Sequence, residues 1–236
     1  MKPKFVQTEN VRRLQEAVSS LENRAPGVPG LGLIYGGAGY GKTKSIQWHV
    51  CQTNSIYLRA KATWSTGWML EAIGKELSIL SLPTIKDKFQ DLQNSISQIK
   101  CTIFVDEADY LVRDRKLLDT LRDLHDETDL PIVLVGMDEI QKKLMRHHQF
   151  WSRVSQQVVY QPLTAKEIAI LGMELCDLAI EDRTSEQLFA STMGNFRDTI
   201  VALSHLERMA RANSTTTVSS KMVDMTTAAV LKRKAA

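Results

Sequence analysis

Residues 36–43 read Gly-Gly-Ala-Gly-Tyr-Gly-Lys-Thr, a G-x-x-x-x-G-K-[ST] pattern without a mismatch, directly after the apolar run Leu31-Gly32-Leu33-Ile34-Tyr35. Such a bend is suited to holding a chain of phosphates. Gly36, Gly37, Gly39 and Gly41 let successive backbone N–H groups converge on phosphate oxygens, because glycine adopts positive φ readily and has no Cβ to block approach. Lys42 is placed to reach the β- and γ-phosphates and Thr43 to hold Mg²⁺, while a helix from Lys42 to about Cys51 turns its positive end to the anion. Ala38, Tyr40 and Lys44 are counted with these as nucleotide-contacting residues. A second motif supplies the acids. The apolar run Cys101 to Val105 ends in Asp106-Glu107, and an acid at the carboxyl end of a buried parallel strand lies where open α/β sheets take their ligands. Asp106 is expected to hold Mg²⁺ through water and contact the bound nucleotide, and Glu107 to polarise the water that attacks the γ-phosphate.

The other reactive side chains narrow the choice further. Cys51, Cys101 and Cys176 lie far apart with no C-x-x-C pair, and His147-His148 has no acid or cysteine at ligand spacing; neither a disulfide framework nor a structural metal is expected. The segment Arg59 to Trp68 mixes basic, hydroxyl and aromatic residues without periodicity. Lys61 and Trp64 could touch a sugar-phosphate backbone and stack or wedge, or Trp64 and Trp68 could cap the core over the next helix. Arg113, Asp114, Arg115 and Lys116 read as a solvated loop, with DNA contact through Arg113, Arg115 and Lys116 as the functional alternative. The net charge is +3, but six lysines and arginines stand against two acids after residue 200, which suits a polyanionic partner or a solubilising tail. No apolar run approaches the roughly 20 residues of a membrane span, and Met1-Lys2-Pro3-Lys4 leads into polar sequence rather than a signal-peptide core. A cytoplasmic protein without a membrane partner is expected.

Elements able to position these groups follow from periodicity. Val11, Leu14, Val18 and Leu21 after Thr8 predict a helix to about Asn23. Strands are predicted at Leu31–Tyr35, Ser55–Leu58, Cys101–Val105, Pro131–Val135 and, short, Val158–Tyr160. Helices are predicted from Thr66 to about Leu77, from Thr84 to about Ile99, through Leu117, Leu118, Leu121 and Leu124, and around Ile140 and Leu144. Alternation of this kind indicates a parallel sheet with helices on both faces. Past Leu163 only helices are expected: one opened by a Thr164–Glu167 capping box and running to about Leu178, one from Thr184, one after Gly194-Asn195-Phe196-Arg197. A Ser214–Thr217 linker and a last helix capped by Ser219 or Ser220 precede Lys232-Arg233-Lys234. The domain division expected is 1–162 for the nucleotide-binding α/β core and 163–236 for a helical lid with a basic tail.

In this order of parts the chain resembles the AAA+ ATPase family: phosphate loop at Gly36–Thr43, hydrophobic-Asp-Glu at Asp106-Glu107, a fourth strand ending near Met137, an arginine before a fifth strand, and Gly194-x-x-Arg197 in the lid. The Phe5-x-x-Thr8 approach and the Val-Asp-Glu-Ala-Asp run look most like the DNA-transposition regulators related to the phage Mu B protein, TnsC and IstB. The resemblance implies ATP and Mg²⁺, a P-loop αβα core with a five-stranded parallel sheet, and a homo-oligomer, ring or helical filament, on double-stranded DNA with a transposase as partner. It implies that Arg153, or else Arg146, is an arginine finger serving the neighbouring subunit, and that Arg197 senses the γ-phosphate of its own subunit. A guanidinium in either place neutralises charge spreading over the phosphoryl oxygens; the plain alternative for each is a surface salt bridge. One departure stands out: where the family carries a short polar sensor after strand four, Gly136-Met137-Asp138 offers Asp138 or only backbone, and slow turnover is the expected consequence. A replicative helicase loader is the nearest rival, less expected because the stretch before the first strand is short, and a nucleotide-controlled protein-docking switch is the rival from another class.

Overall fold

The computed structural model describes residues 1–79, 83–96, 99, 101–176, 179–180, 182–215, 217–218 and 222–223. Of the last helix expected after Ser219 or Ser220 only Met222 and Val223, both helical, are described, and the rest of it and the basic Lys232-Arg233-Lys234 lie outside the described residues. Two compact units emerge, one of Val11–Gly37 with Lys42–Tyr160, the other of Met1–Asn10, Ala38–Gly41 and Gln161–Ala236.

Runs of Val, Ile and Leu build the first unit. Strands β1 (Leu31–Gly36), β2 (Ile56–Arg59), β3 (Ile103–Asp106), β4 (Ile132–Gly136) and β5 (Val154–Tyr160) form one sheet in the order β2-β3-β4-β1-β5, and every pairing is parallel. Ile103, Phe104 and Val105 are all at most 1% exposed, as a strand covered on both faces requires. Because side chains alternate along a strand, Leu31, Leu33, Ile103, Val105, Ile132 and Leu134 share one core with α3 (Thr66–Glu76), α4 (Ile85–Ile96) and α5 (Arg115–Thr128). On the opposite face Phe104 meets His49 of α2 (Lys42–Gln52) edge-on at 5.5 Å. Gly32 lies under Leu21 of α1 (Glu9–Glu22), close enough that a Cβ would come within 2.8 Å of it. The stripe Leu117, Leu118, Leu121 and Leu124 on α5 is at most 2% exposed, and each such burial is worth about 1.5–3 kcal/mol, more than any helix propensity on the same turn.

The second unit has its own core of Leu163, Ile168, Leu171, Leu188, Leu203 and Leu206, carried by α8 (Ala165–Leu175), α9 (Asp182–Thr192) and α10 (Phe196–Ala212). The Thr164–Glu167 capping box is present in both directions. The other Glu167 oxygen accepts the Glu9 N–H at 2.9 Å, so one carboxylate satisfies orphan donors at the start of two helices. The N-terminal segment is bound here as well: Lys2 N–H donates to the Leu175 carbonyl at 2.7 Å, and Val6 packs on the core.

Several local expectations need correction. A 3₁₀ turn, Ala108–Arg113, follows Glu107, and α5 starts at Arg115 with Asp114 as its cap, its side chain accepting from Lys116 N–H. Arg115 and Lys116 are therefore first-turn helical residues rather than a solvated loop. A short helix α7 (His148–Trp151) follows α6 (Ile140–Leu144), and β5 begins at Val154, four residues before the apolar Val158. Strands do not stop at Leu163: β6 (Ala179–Ile180) and β7 (Thr217–Val218) pair in parallel, so β-branched Thr217 belongs to a ladder instead of a linker.

Candidate active site

Within the sheet unit the carboxyl ends of β1 and β3 bring the flanks of the first motif, Gly36-Gly37 and Lys42-Thr43, together with Asp106-Glu107. Asp106, 4% exposed, ends β3, and its Oδ2 accepts hydrogen bonds from Thr43 Oγ1 at 2.7 Å and from Tyr57 Oη at 2.9 Å. Its Oδ1 accepts the Glu107 N–H at 2.9 Å. Burial, then the charge of Asp106, pushes the Tyr57 phenol up to about 12, which keeps it a donor. Lys42 Nζ donates to the Gly36 and Gly37 carbonyls at 2.5 and 2.9 Å. Burial depresses the Lys42 pKa, and the charges of Asp138, Asp106, Asp109 and Glu107 oppose the shift, Asp138 most strongly. Gly36 has φ +151°, and a Cβ there would lie 2.6 Å from the Tyr160 carbonyl, so no other residue fits where the loop leaves β1.

Glu107 sits one step past the sheet in a left-handed conformation, φ 56° and ψ 34°, which is sparsely populated for anything but glycine and stores strain where it occurs at a working site. Its carboxylate faces Arg59 Nη2 at 3.3 Å. Beside it a cleft of about 420 Å³ is lined by Asp109, Arg113, Asp138, Glu139 and Lys143 among others. Asp109 Oδ2 accepts the Met137 N–H at 2.8 Å, pinning the chain as it leaves β4 toward Asp138. A hydroxyl and a carboxylate sharing one hydrogen bond at the mouth of a phosphate loop form a hard oxygen donor pair, the kind that suits Mg²⁺ with waters and phosphates completing its shell.

The AAA domain family matches residues 27–144, half of the chain and all of the residues just described up to Lys143. The chain belongs to the AAA domain family. Its fold agrees: the ORC2 protein of Aeropyrum pernix superposes with a TM-score of 0.71 at 18% identity, over 96% of this chain and 70% of that one. The A. pernix ORC1 protein in complex with DNA superposes with a TM-score of 0.66 at 17% identity, over 95% and 66%. A relative in sequence is the Mu-like prophage FluMu DNA transposition protein B of Haemophilus influenzae, 29% identical over 141 residues, 56% of this chain. The chain spans about half the length of that protein, 48%. Nucleotide binding and ATPase chemistry of the P-loop kind come with the AAA family. No helix among the described residues is long and apolar enough to cross a membrane.

Outside this centre the AAA chain distributes its other expected site residues widely. Arg153 precedes β5, and its carbonyl accepts the N–H of Leu31, the first residue of β1. It therefore stands at the amino end of the sheet, roughly 20–25 Å from Glu107 when strand rise and the three strand spacings between β3 and β5 are combined, with Nη2 and Nε clamped on Asp126 at 2.9 and 3.2 Å. Arg146 is exposed in the turn between α6 and α7 and makes no ion pair among the described residues. Arg197 is exposed in the first turn of α10, and its guanidinium likewise has no ion-pair partner among the described residues. Lys44 and Lys61 are exposed.

Of the tryptophans in the Arg59–Trp68 segment, Trp64 is half-buried and packs on the core of the sheet unit, and Trp68, 57% exposed, is the indole left at the surface. Arg113 lies over the Tyr110 ring at 5.5 Å, Arg115 pairs with Asp119 at 3.3 Å, and Lys116 is exposed beside them. Tyr57, Arg59 and Asp109 are the site residues that motif reading missed. Arg59 is the register partner of Asp106 across β2 and β3, a neighbour that becomes visible only once strand order is known.

Proposed function

We propose that this chain is a Mg²⁺-dependent ATPase that assembles on duplex DNA, as a ring or helical filament, and marks that DNA for a transposase. The observation that carries the ATPase half is the shared contact of Thr43 and Tyr57 with Asp106, beside Lys42 and Glu107. In that arrangement Lys42 exchanges its loop carbonyls for the β- and γ-phosphates, Glu107 takes the proton of the attacking water, and Thr43 with Asp106 would hold the metal. Mg²⁺, when bound, offsets phosphate charge as bond order to the leaving oxygen falls.

The DNA half rests on the FluMu transposition protein B relative and on the exposed Lys61 and Arg59 at the carboxyl end of β2. The position of Arg153 at the far end of the sheet from Glu107 favours service to a neighbouring subunit over its own, which would make hydrolysis depend on assembly. Arg197 is assigned to the γ-phosphate of its own subunit. The division into a core through residue 162 and a helical lid after it belongs to the same proposal.

Electron microscopy of the protein with duplex DNA and a non-hydrolysable ATP analogue tests this reading. Regular assemblies that need both components, and that weaken steeply with salt as phosphate contacts do, are expected. Subunits carrying Arg153→Ala should regain turnover when mixed with Glu107→Gln subunits. Assemblies indifferent to DNA would leave a docking switch, and capture by a hexameric helicase a loader.

A further inference from the structure

The tip of the phosphate-loop motif, Ala38–Gly41, groups with the residues from Gln161 onward in one compact unit, and two of its carbonyl oxygens are held there. The Asn195 side-chain amide donates to the Ala38 carbonyl at 2.9 Å, and the backbone N–H of Arg197 donates to the Gly39 carbonyl at 3.0 Å. A trans peptide is planar, with its C=O and N–H antiparallel. Holding the Ala38 and Gly39 carbonyls from one side therefore turns the N–H groups of Gly39 and Tyr40 to the other. Those are two of the donors that a phosphate-binding bend must aim at an anion. The approach is close: Gly39 has φ +81°, and a Cβ on it would fall 2.5 Å from Asn195 Oδ1.

Asn195 is itself fixed by helix geometry. It is the N-cap of α10, where its Oδ1 accepts the Asp198 N–H at 3.3 Å, so its two polar atoms divide the work, oxygen to the helix and nitrogen to the loop. The preceding Gly194, at φ +70°, delivers it there, with its carbonyl accepting the Leu163 N–H at 2.8 Å.

We infer that Asn195 is a positioning residue for nucleotide affinity: by holding the outer side of two peptide planes it presets the N–H donors of the phosphate loop. The inference rests on the nucleotide-binding reading above. It separates binding from chemistry, because the donors it orients serve diphosphate and triphosphate alike. By linkage, the bound phosphates should in turn protect the first turn of α10.

Two variants distinguish grip from cap. Asn195→Ser and Asn195→Asp both retain a good helix N-cap; the aspartate has no donor for the Ala38 carbonyl, and the serine hydroxyl, one bond shorter than the Asn195 amide, falls short of it without adding charge. Calorimetry with ADP and with a non-hydrolysable ATP analogue should show affinity reduced roughly threefold to tenfold, the scale of one hydrogen bond, in both variants. At saturating ATP kcat should stay unchanged while KM rises, and the melting temperature of the nucleotide-free protein should fall only by what one hydrogen bond is worth, about 1–6 °C. Hydrogen exchange at the Arg197 amide should slow on ADP addition in the wild type and less in either variant. Wild-type affinity in Asn195→Ser overturns the inference, and so does a melting temperature lowered well beyond the worth of one hydrogen bond, which would make the lost affinity a consequence of a failed helix cap. A wild-type protein that takes up no ADP defeats the nucleotide reading itself, a failure visible before any substitution is made.

Discussion

Replacing Glu107 by glycine and by alanine should reverse the usual stability order of those two residues. At an ordinary ordered position alanine is favoured by about 0.5–1 kcal/mol, because glycine has more freedom to lose on folding. Glu107 has φ 56° and ψ 34°, and the left-handed region costs a residue with a Cβ about 1–2 kcal/mol. Setting one against the other leaves the glycine variant ahead by roughly 0.5–1 kcal/mol. The lost carboxylate cancels between the variants, since both forfeit the Arg59 contact. With side chains 68% and 39% exposed, that pair contributes at most about 1 kcal/mol in any case. In a chain of this size the difference corresponds to about 1–4 °C in melting temperature. Urea unfolding without nucleotide is the assay, because a bound ligand would add its own stabilisation to whichever variant kept affinity. An alanine variant as stable as the glycine one would refute the reasoning, since the backbone at 107 would then carry no strain.

Tyr57→Phe should cost about 1.5–3 kcal/mol in the nucleotide-free protein, the range for a hydrogen bond to a charged group, because Asp106 Oδ2 is left with Thr43 alone; an unchanged urea midpoint would show the phenol to be idle. His125 gives a pH dependence with a definite sign. Its Nε2 accepts the Gly30 N–H at 3.1 Å, its Nδ1 lies 2.8 Å from the Leu130 carbonyl, and burial depresses its pKa. The folded state thus holds the neutral ring more firmly than the unfolded state does, so the stability it contributes is present above the ordinary imidazole value of about 6.5 and is lost as pH falls through the folded value. The urea midpoint should drop on acidification from pH 7, and His125→Gln should flatten that drop; equal slopes would count against it.

The motifs that anchor the site were legible because their chemistry is local. Gly36 to Thr43 is eight consecutive residues, and Asp106-Glu107 announces itself by the apolar run it ends, so strand, loop and helix follow from neighbours in sequence. Tyr57 and Arg59 were not legible for the opposite reason. Their roles depend on β2 lying beside β3 with Arg59 opposite Asp106, and nothing within Ile56–Arg59 states which strand is its neighbour. The early start of β5 was hidden because Val154–Gln157 alternates half-buried and exposed positions with Ser155, Gln156 and Gln157 among them, an edge-strand pattern that a search for continuous apolar runs passes over. The segment from Arg59 to Trp68 has no period at all, so which tryptophan packs inward is decided by the fold: Trp68 takes an exposed place on the first turn of α3, four residues past the Lys61–Trp64 turn that seats Trp64.

Arg153 shows how position and bonding together limit a role that spacing alone leaves open. Its clamp on Asp126 is bidentate, yet both side chains are 36% exposed, and an ion pair so wet contributes about 1 kcal/mol or less. A triphosphate presents more charge than one carboxylate, so little opposes transfer of the guanidinium to a neighbouring copy. Lys42 differs in kind. Lys42 is 9% exposed as a residue and its ammonium is tied to two loop carbonyls, and leaving them without a new partner would strand a buried charge at a cost of several kcal/mol. The lysine can therefore be drawn out only by an anion that enters the loop, whereas the proposed assembly would be enough to release the arginine. Asp126→Ala should accordingly leave ADP affinity untouched while altering the protein-concentration dependence of turnover. A change in ADP affinity instead would place Arg153 among the groups that act on its own subunit's nucleotide.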